Sequence, residues 1–308
     1  MNKLINYHTK YKSTLFKIGN HSVLAIIALI CIGSATRVME AGLACPDWPL
    51  CYGTFLPLNH MNLRVFLEWF HRLDAFLVGV LILSQFILSL IWRKFLPIWL
   101  PKLYSLLLFL VILQGTLGAL TVINMLDSFT VMGHLLIAFC LLITAIYINQ
   151  NLEDDNFKSK NIWWKSLLSV PLILTLLQSA IGARLSSTWS AHLCLSFNRQ
   201  CLILDSHKLF AYPVAFSIIA VFLVSIIKRH LFIYNWKFLI SALFLLSIQI
   251  LLGILSLKTS LSEPLLIVSH QLIASLLIAI LTSLVFKKSN QNLLINTPQE
   301  KVLLSFNS

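Results

Sequence analysis

"LEWFHRLDAFLVGVLILSQFILSLIW", residues 67–92, places Glu68, His71, Arg72 and Asp74 at the head of a long apolar run. A helix needs about 20 mostly apolar residues to span hydrocarbon, and this stretch is long enough. The same criterion marks eight segments in all, over 19–38, 67–92, 103–125, 130–150, 163–186, 204–227, 236–257 and 264–286. Composition agrees, with 58% apolar and only 11% charged residues, against roughly 25% charged in a soluble domain. The expected fold is an all-α polytopic membrane protein whose short polar links leave no room for a soluble domain. What needs explaining is a membrane helix that begins with a carboxylate, an imidazole and a guanidinium.

The net charge of +12 is unevenly placed. Sixteen of the 23 basic residues fall in the N-terminal tail, in or within three residues of links 2–3, 4–5 and 6–7, or in the C-terminal tail. Lys3, Lys10, Lys12 and Lys17 start this set, and Arg93, Lys94, Lys228, Arg229, Lys287 and Lys288 continue it. Basic residues stay on the cytoplasmic side of a membrane protein, so both termini are expected there. The charge reports topology, and no nucleic acid partner is expected. A cleaved signal peptide is disfavoured, because the charged region ahead of the first apolar run is too long.

The two halves of the chain look alike. His71 and His134 are 63 residues apart, as are His207 and His270. "GHLLIA" around His134 answers "SHQLIA" around His270, and Gln114 with Gly118 recurs as Gln249 with Gly253. The expected organisation is a cytoplasmic tail over 1–18 and a four-helix bundle over 19–150. A linker over 151–162, a second bundle over 163–288 and a tail over 289–308 complete it. Each of the four histidines falls within about two helical turns of the outer face. Paired histidines at matched depth on facing helices are the geometry of bis-imidazole haem ligation inside a bundle. Zinc would want further N, S or O ligands beside each pair, and none is obvious. A lone histidine at a helix mouth is most often interfacial, and His8, His21, His60, His192 and His230 are read that way. Repetition separates the other four, since ionisable groups inside a membrane are costly without a task.

Glycines and basic residues add to this picture. Gln-x-x-x-Gly recurs in the third, fifth and seventh segments (Gln114/Gly118, Gln178/Gly182, Gln249/Gly253), where glycine admits close approach of a helix or a flat ring. Arg37, Arg72, Arg184, Lys208 and Lys258 lie toward the outer side and are candidates to pair with haem propionates, with interfacial snorkelling as the alternative. Cys31 and Cys140 read as small buried hydrophobes. Cys45 with Cys51, and Cys194 with Cys201, sit in outward links and suit two disulfides in an oxidising compartment. Glu68 precedes His71 by three residues and shares its helical face, whereas the matching position before His207 is Leu204. A carboxylate there can serve as a general base or stabilise developing positive charge. A salt bridge to Arg64 or Arg72, or a helix-terminal acid, is the alternative.

"GLACPDWPLCYG", "EWFHR", "MGHLLIA", "SHKLF" and "SHQLIA" together resemble the bacterial haem A synthases across nearly the whole membrane region. That resemblance implies oxidation of the C8 methyl of haem O to a formyl group by successive hydroxylations, with water as the oxygen source. The haem A produced would serve cytochrome oxidase assembly. It implies substrate haem at His71 and His134, a haem b cofactor at His207 and His270, and Glu68 as the catalytic carboxylate. Cys45 and Cys51 would handle substrate or electrons, and Cys194 with Cys201 would form a structural disulfide. Haem O synthase (protohaem farnesyltransferase) and an electron acceptor are implied as partners, with a homo-oligomer left open. The expected location is the bacterial inner membrane, with the haem sites toward the periplasmic side. The competing expectations are a di-haem electron-transfer protein or haem carrier, and a transporter with paired intramembrane histidines.

Overall fold

A computed structural model of the chain describes residues 2–153, 162–187 and 201–287. The helices are α1 (Asn2–Val38), α2 (Leu63–Ile91), α3 (Trp99–Ile123), α4 (Ser128–Glu153), α5 (Ile162–Ser187), α6 (Leu202–Ile227), α7 (Arg229–Lys258) and α8 (Pro264–Phe286). Among the described residues, these eight are long and apolar enough to cross a membrane. Local signals set several starts. Asn62 accepts hydrogen bonds from the N–H groups of Arg64 and Val65 at the head of α2. Asp127 Oδ2 accepts from Phe129 and Thr130 at the head of α4, and Pro264 occupies the first turn of α8. Such partners satisfy donors that a helix start leaves open.

The duplication is visible in backbone geometry. After α3 the chain turns through left-handed Met125 and Leu126, and after α7 through left-handed Ser260 and Leu261. Leu126 N–H donates to Thr121 C=O at 2.8 Å, and Leu261 N–H to Ser256 C=O at 2.9 Å. The same capping is built twice, each time with a leucine as the second left-handed residue and with no glycine. Helices α1–α4 close a ring of neighbour contacts, α5–α8 close a second, and the rings join through α1 and α4 against α5 and α8. One apolar core runs through both, from Phe139 and Leu142 to Ile278 and Leu281.

Large apolar side chains such as Phe76, Phe109, Phe216 and Phe244 point outward, as expected where lipid replaces water as the solvent. Several buried hydroxyls find partners inside their own helices: Ser22 bonds Ile18 C=O, Ser89 bonds Phe86 C=O and Ser275 bonds Gln271 C=O, while those of Ser34, Ser256 and Thr282 have none. With no water in the hydrocarbon, such internal partners are the ones within reach. Two expectations change. α1 begins at Asn2, well ahead of the apolar run at 19, because Leu15 is fully buried and Tyr11 stacks on Trp92 with ring centres 4.6 Å apart. Cys140 is exposed rather than buried, on a face of α4 turned outward, where lipid accepts a thiol as readily as protein does.

Candidate functional site

A cavity of about 840 Å³ lies inside the α1–α4 ring. Its wall includes Gly33 and Arg37 from α1, Glu68, His71 and Arg72 from α2, Gln114 and Gly118 from α3, and His134 from α4. The roof is the link between α1 and α2, through Trp48, Pro49, Leu50 and Cys51. That link is held tightly. Cys45 and Cys51 form a disulfide, and Asp47 accepts hydrogen bonds from Tyr52 N–H at 2.6 Å and Gly53 N–H at 2.8 Å. These amides, Gly53 foremost, hold the Asp47 carboxyl below its ordinary pKa, with the Arg72 charge adding a smaller effect.

Glu68 is 3% exposed and fully engaged. One oxygen pairs with Arg72 at 2.5 Å, and the other accepts Cys45 N–H at 2.7 Å. Arg72 in turn donates to the carbonyls of Asp47 and Leu50 at 2.6 Å each. The carboxylate therefore ties the head of α2 to the disulfide loop at the edge of the cavity. Arg64 pairs with Glu40 instead. Arg72 spends its donors on Glu68 and the loop, while Arg37 reaches the cavity with Nε buried and unpartnered. Arg184 lies over the Phe129 ring, 5.2 Å from its centre, and Lys208 is drawn to Asp205 at 3.6 Å. Arg184, Lys208 and Lys258 are exposed and line no part of the cavity. Asp74, further along α2, has Oδ2 buried without a partner.

The second histidine pair lies in the α5–α8 ring and takes no part in the cavity wall. His207 and His270 stand with ring centres 6.5 Å apart. A metal held at about 2 Å from each of two imidazole nitrogens separates ring centres by roughly 6 Å, so the spacing fits bis-imidazole ligation. Each of the four histidines also sits over a glycine of the preceding helix. A Cβ added at Gly33, Gly118, Gly182 or Gly253 would lie 2.9, 3.2, 3.0 or 3.3 Å from Cε1 of His71, His134, His207 or His270. Nδ1 of His71, His134 and His270 is buried without a partner. Among the described residues no three His, Cys, Asp or Glu side chains converge on one point. What both halves present is a paired imidazole beside close glycine backbone, which fits a flat iron-bearing macrocycle.

Two features escaped the reading of the sequence. Gln271 follows His270 on α8, yet it lines the cavity of the other ring and leaves Nε2 buried without a partner. Its counterpart after His134 is Leu135, so the departure between "GHLLIA" and "SHQLIA" was the available signal. The Asp47 clamp gave only a weak one, an acid preceding a Tyr-Gly turn. Of the second cysteine pair, Cys201 is buried ahead of α6, and Cys194 lies outside the described residues.

Eight apolar helices in two joined rings, each with a histidine pair, define a polytopic helical membrane protein with two paired-imidazole sites. The chain belongs to the COX15-CtaA family of cytochrome oxidase assembly proteins, whose family model matches residues 19–282. It is 30% identical over 189 residues to a heme A synthase of Shewanella oneidensis, covering 54% of this chain and 56% of that protein. A heme A synthase of Bacillus pumilus is 31% identical over 102 residues, covering 32% of each chain. A protoheme IX farnesyltransferase of Haloarcula marismortui is 32% identical over 69 residues, 22% of this chain and 14% of that one. The chain spans about half the length of the Shewanella relative, and less of the other two.

Proposed function

We propose that the protein is a haem A synthase of a bacterial inner membrane, both termini cytoplasmic, that oxidises the C8 methyl of haem O to a formyl group. The observation that carries this reading is the cavity that gathers His71, His134, Glu68 and Arg37. The His207–His270 pair stands outside that cavity, so the two sites are inequivalent. Substrate haem lies between His71 and His134, held by its iron and by a propionate on Arg37. The apolar wall accepts the tail, and the lid formed by Trp48 to Cys51 excludes bulk water. Balanced overall, methyl plus one water gives formyl, four protons and four electrons. Glu68 supplies negative charge beside the substrate, stabilising positive charge that develops as the methyl is oxidised or accepting a proton from the attacking water. Such a role needs one of its two present bonds, to Arg72 or to Cys45 N–H, to loosen during turnover.

His207 and His270 would hold the resident haem b, which supplies one-electron transfer toward an acceptor. Cys45 with Cys51 keeps the lid closed over the substrate. A haem O synthase would deliver the substrate, a reading in keeping with the short match to a farnesyltransferase. The test is expression in a host that makes haem O but lacks haem A, followed by extraction and mass identification of total haem. Haem A or its hydroxylated precursor beside haem B is the expected result. Haem B alone, at two per chain, would overturn the synthase and leave a di-haem electron carrier.

A further inference from the structure

Apart from the two histidines and Gln114 beside His134, the unpartnered buried polar atoms of the cavity wall are Ser34 Oγ, Arg37 Nε and Gln271 Nε2. All three can donate a hydrogen bond. Ser34 and Arg37 are three residues apart and share a face of α1. Gly33 and Thr36, one residue before each, turn to α2: Gly33 lies against the His71 ring, and Thr36 Oγ1 donates to Leu67 C=O at 3.4 Å. A step of one residue rotates a helix position by about 100°, which turns Ser34 and Arg37 toward the other neighbours of α1, which are α4 and α8. Gln271 enters the cavity from α8. It and Ala183 of α5 are the two wall residues contributed by the second ring.

The same wall carries an unbalanced charge. Glu68 and Arg72 neutralise each other, and among the described residues Arg37 takes part in no ion pair. A buried cation and two further buried donors without acceptors are costly, and an anion that accepts from them removes that cost. A carboxylate suits the set, because its two oxygens accept several hydrogen bonds at once and a guanidinium binds it with charge-assisted bonds. The substrate haem of the proposed function presents two carboxylates, its propionates, on one edge.

We propose that Ser34 and Gln271 join Arg37 in one carboxylate-binding wall for the propionate edge of the substrate haem, so that the substrate site is completed by a residue of the other ring. This rests on the assignment of substrate haem to the N-terminal site. Arg37 supplies the charge, and the two neutral donors fix where the edge sits. The C8 methyl is the ring substituent next to one propionate, so holding that edge also places the methyl. Gln271 follows His270 directly, and the contact therefore joins the substrate edge to the helix that carries a histidine of the second site.

The experiment uses the full chain purified in detergent and titrated with protohaem, which has the same propionate edge, and separately with protohaem dimethyl ester, which has no carboxylate. Uptake is followed optically, and the part of it that His71→Ala abolishes belongs to the N-terminal site. Gln271→Leu should weaken protohaem binding there by about 10-fold or more and leave the ester unchanged. Ser34→Ala should act in the same direction by a smaller factor, again with the ester unchanged. Helical circular dichroism reports folding, and Ser34→Ala decides the proposal if Gln271→Leu does not fold. Protohaem binding that is unchanged in a folded variant, or equal losses of protohaem and ester, overturns the proposal. Should wild-type protein show no uptake that depends on His71, the assignment of substrate haem to this site fails, and the proposal falls with it.

Discussion

Replacing Gly33 with alanine tests whether glycine is needed under His71 for ligation rather than for helix packing. The added methyl would lie 2.9 Å from His71 Cε1 and 3.3 Å from Nε2, and those ring atoms are its nearest neighbours. Ordinary carbon contact begins near 3.4 Å, so the ring must retreat by about 0.5 Å or the side chain must leave its rotamer. The ring is the far end of a side chain, and α1 and α2 can keep their packing. Overfilling of this kind costs about 1 to 3 kcal/mol, which as lost affinity is about 5- to 150-fold. The penalty should fall on substrate haem at His71, because the unloaded chain can rotate the ring freely into the cavity. The assay is haem titration of Gly33→Ala beside Gly182→Ala, whose methyl would meet His207 Cε1 at 3.0 Å. Gly33→Ala should weaken haem O binding and spare haem b, and Gly182→Ala should do the reverse. Gly253→Ala, with 3.3 Å available at His270, should be milder than Gly182→Ala. If Gly33→Ala binds haem O as tightly as wild type, or lowers both haems equally, the glycine is a helix-packing residue and the seating argument fails.

Three further outcomes follow from the cavity and its lid. Glu68→Gln keeps an acceptor for Cys45 N–H but removes the counter-charge of Arg72. It should leave the chain folded and cut haem A formation by about 100-fold or more, measured by haem extraction from the haem O host; wild-type yield would exclude a chemical role for the carboxylate. Arg37→Leu removes a buried guanidinium with a free donor, and a hydrogen bond to a charged group is worth about 1.5 to 3 kcal/mol. Binding of protohaem should weaken by about 10-fold or more while binding of its dimethyl ester is unchanged, and equal losses for both would remove Arg37 from propionate recognition. Asp47 has its carboxyl pKa lowered by the Gly53 and Tyr52 amides. Its contribution to the lid is complete above the unfolded value of about 3.9 and is lost as pH falls through the lower folded value. Pepsin cleavage of the loop should therefore rise as the pH falls below about 4 in the wild type, and an identical profile in Asp47→Asn would show that the clamp is not the titrating element.

The parts of this protein legible in its sequence are those built by repetition. Eight spans follow from run length, since only about 20 apolar residues cross hydrocarbon. The histidine register follows from a spacing that occurs twice. Hydropathy misplaced the start of α1, because Lys10, Lys12 and Lys17 lower the local average while the backbone stays helical and Leu15 and Tyr11 pack inward. The partner of Glu68 had two candidates, Arg64 and Arg72. Only the fold decides between them, since Arg64 is drawn off by Glu40. Contacts of that kind depend on where a loop is pinned, and loop placement has no periodicity to read.

The most informative positions are those where the repeat is broken, and the structure gives each break a physical meaning. Glu68 stands where the second half has Leu204, and the carboxylate bonds the Cys45 backbone, whereas Leu204 packs beside Cys201 in an apolar cluster. Leu29 stands where α5 has Gln178, so an amide on His207 is missing on His71. Gln271 stands where α4 has Leu135, and it carries an unpaired donor from the helix of His270 into the cavity of His71. A duplicated membrane bundle by itself yields two equivalent sites. All three departures alter the N-terminal cavity, adding a charge, an apolar side chain in place of an amide, and a polar contact from the other ring. Under the proposed function, that distribution of changes specialises one copy for chemistry and keeps the other as a holder.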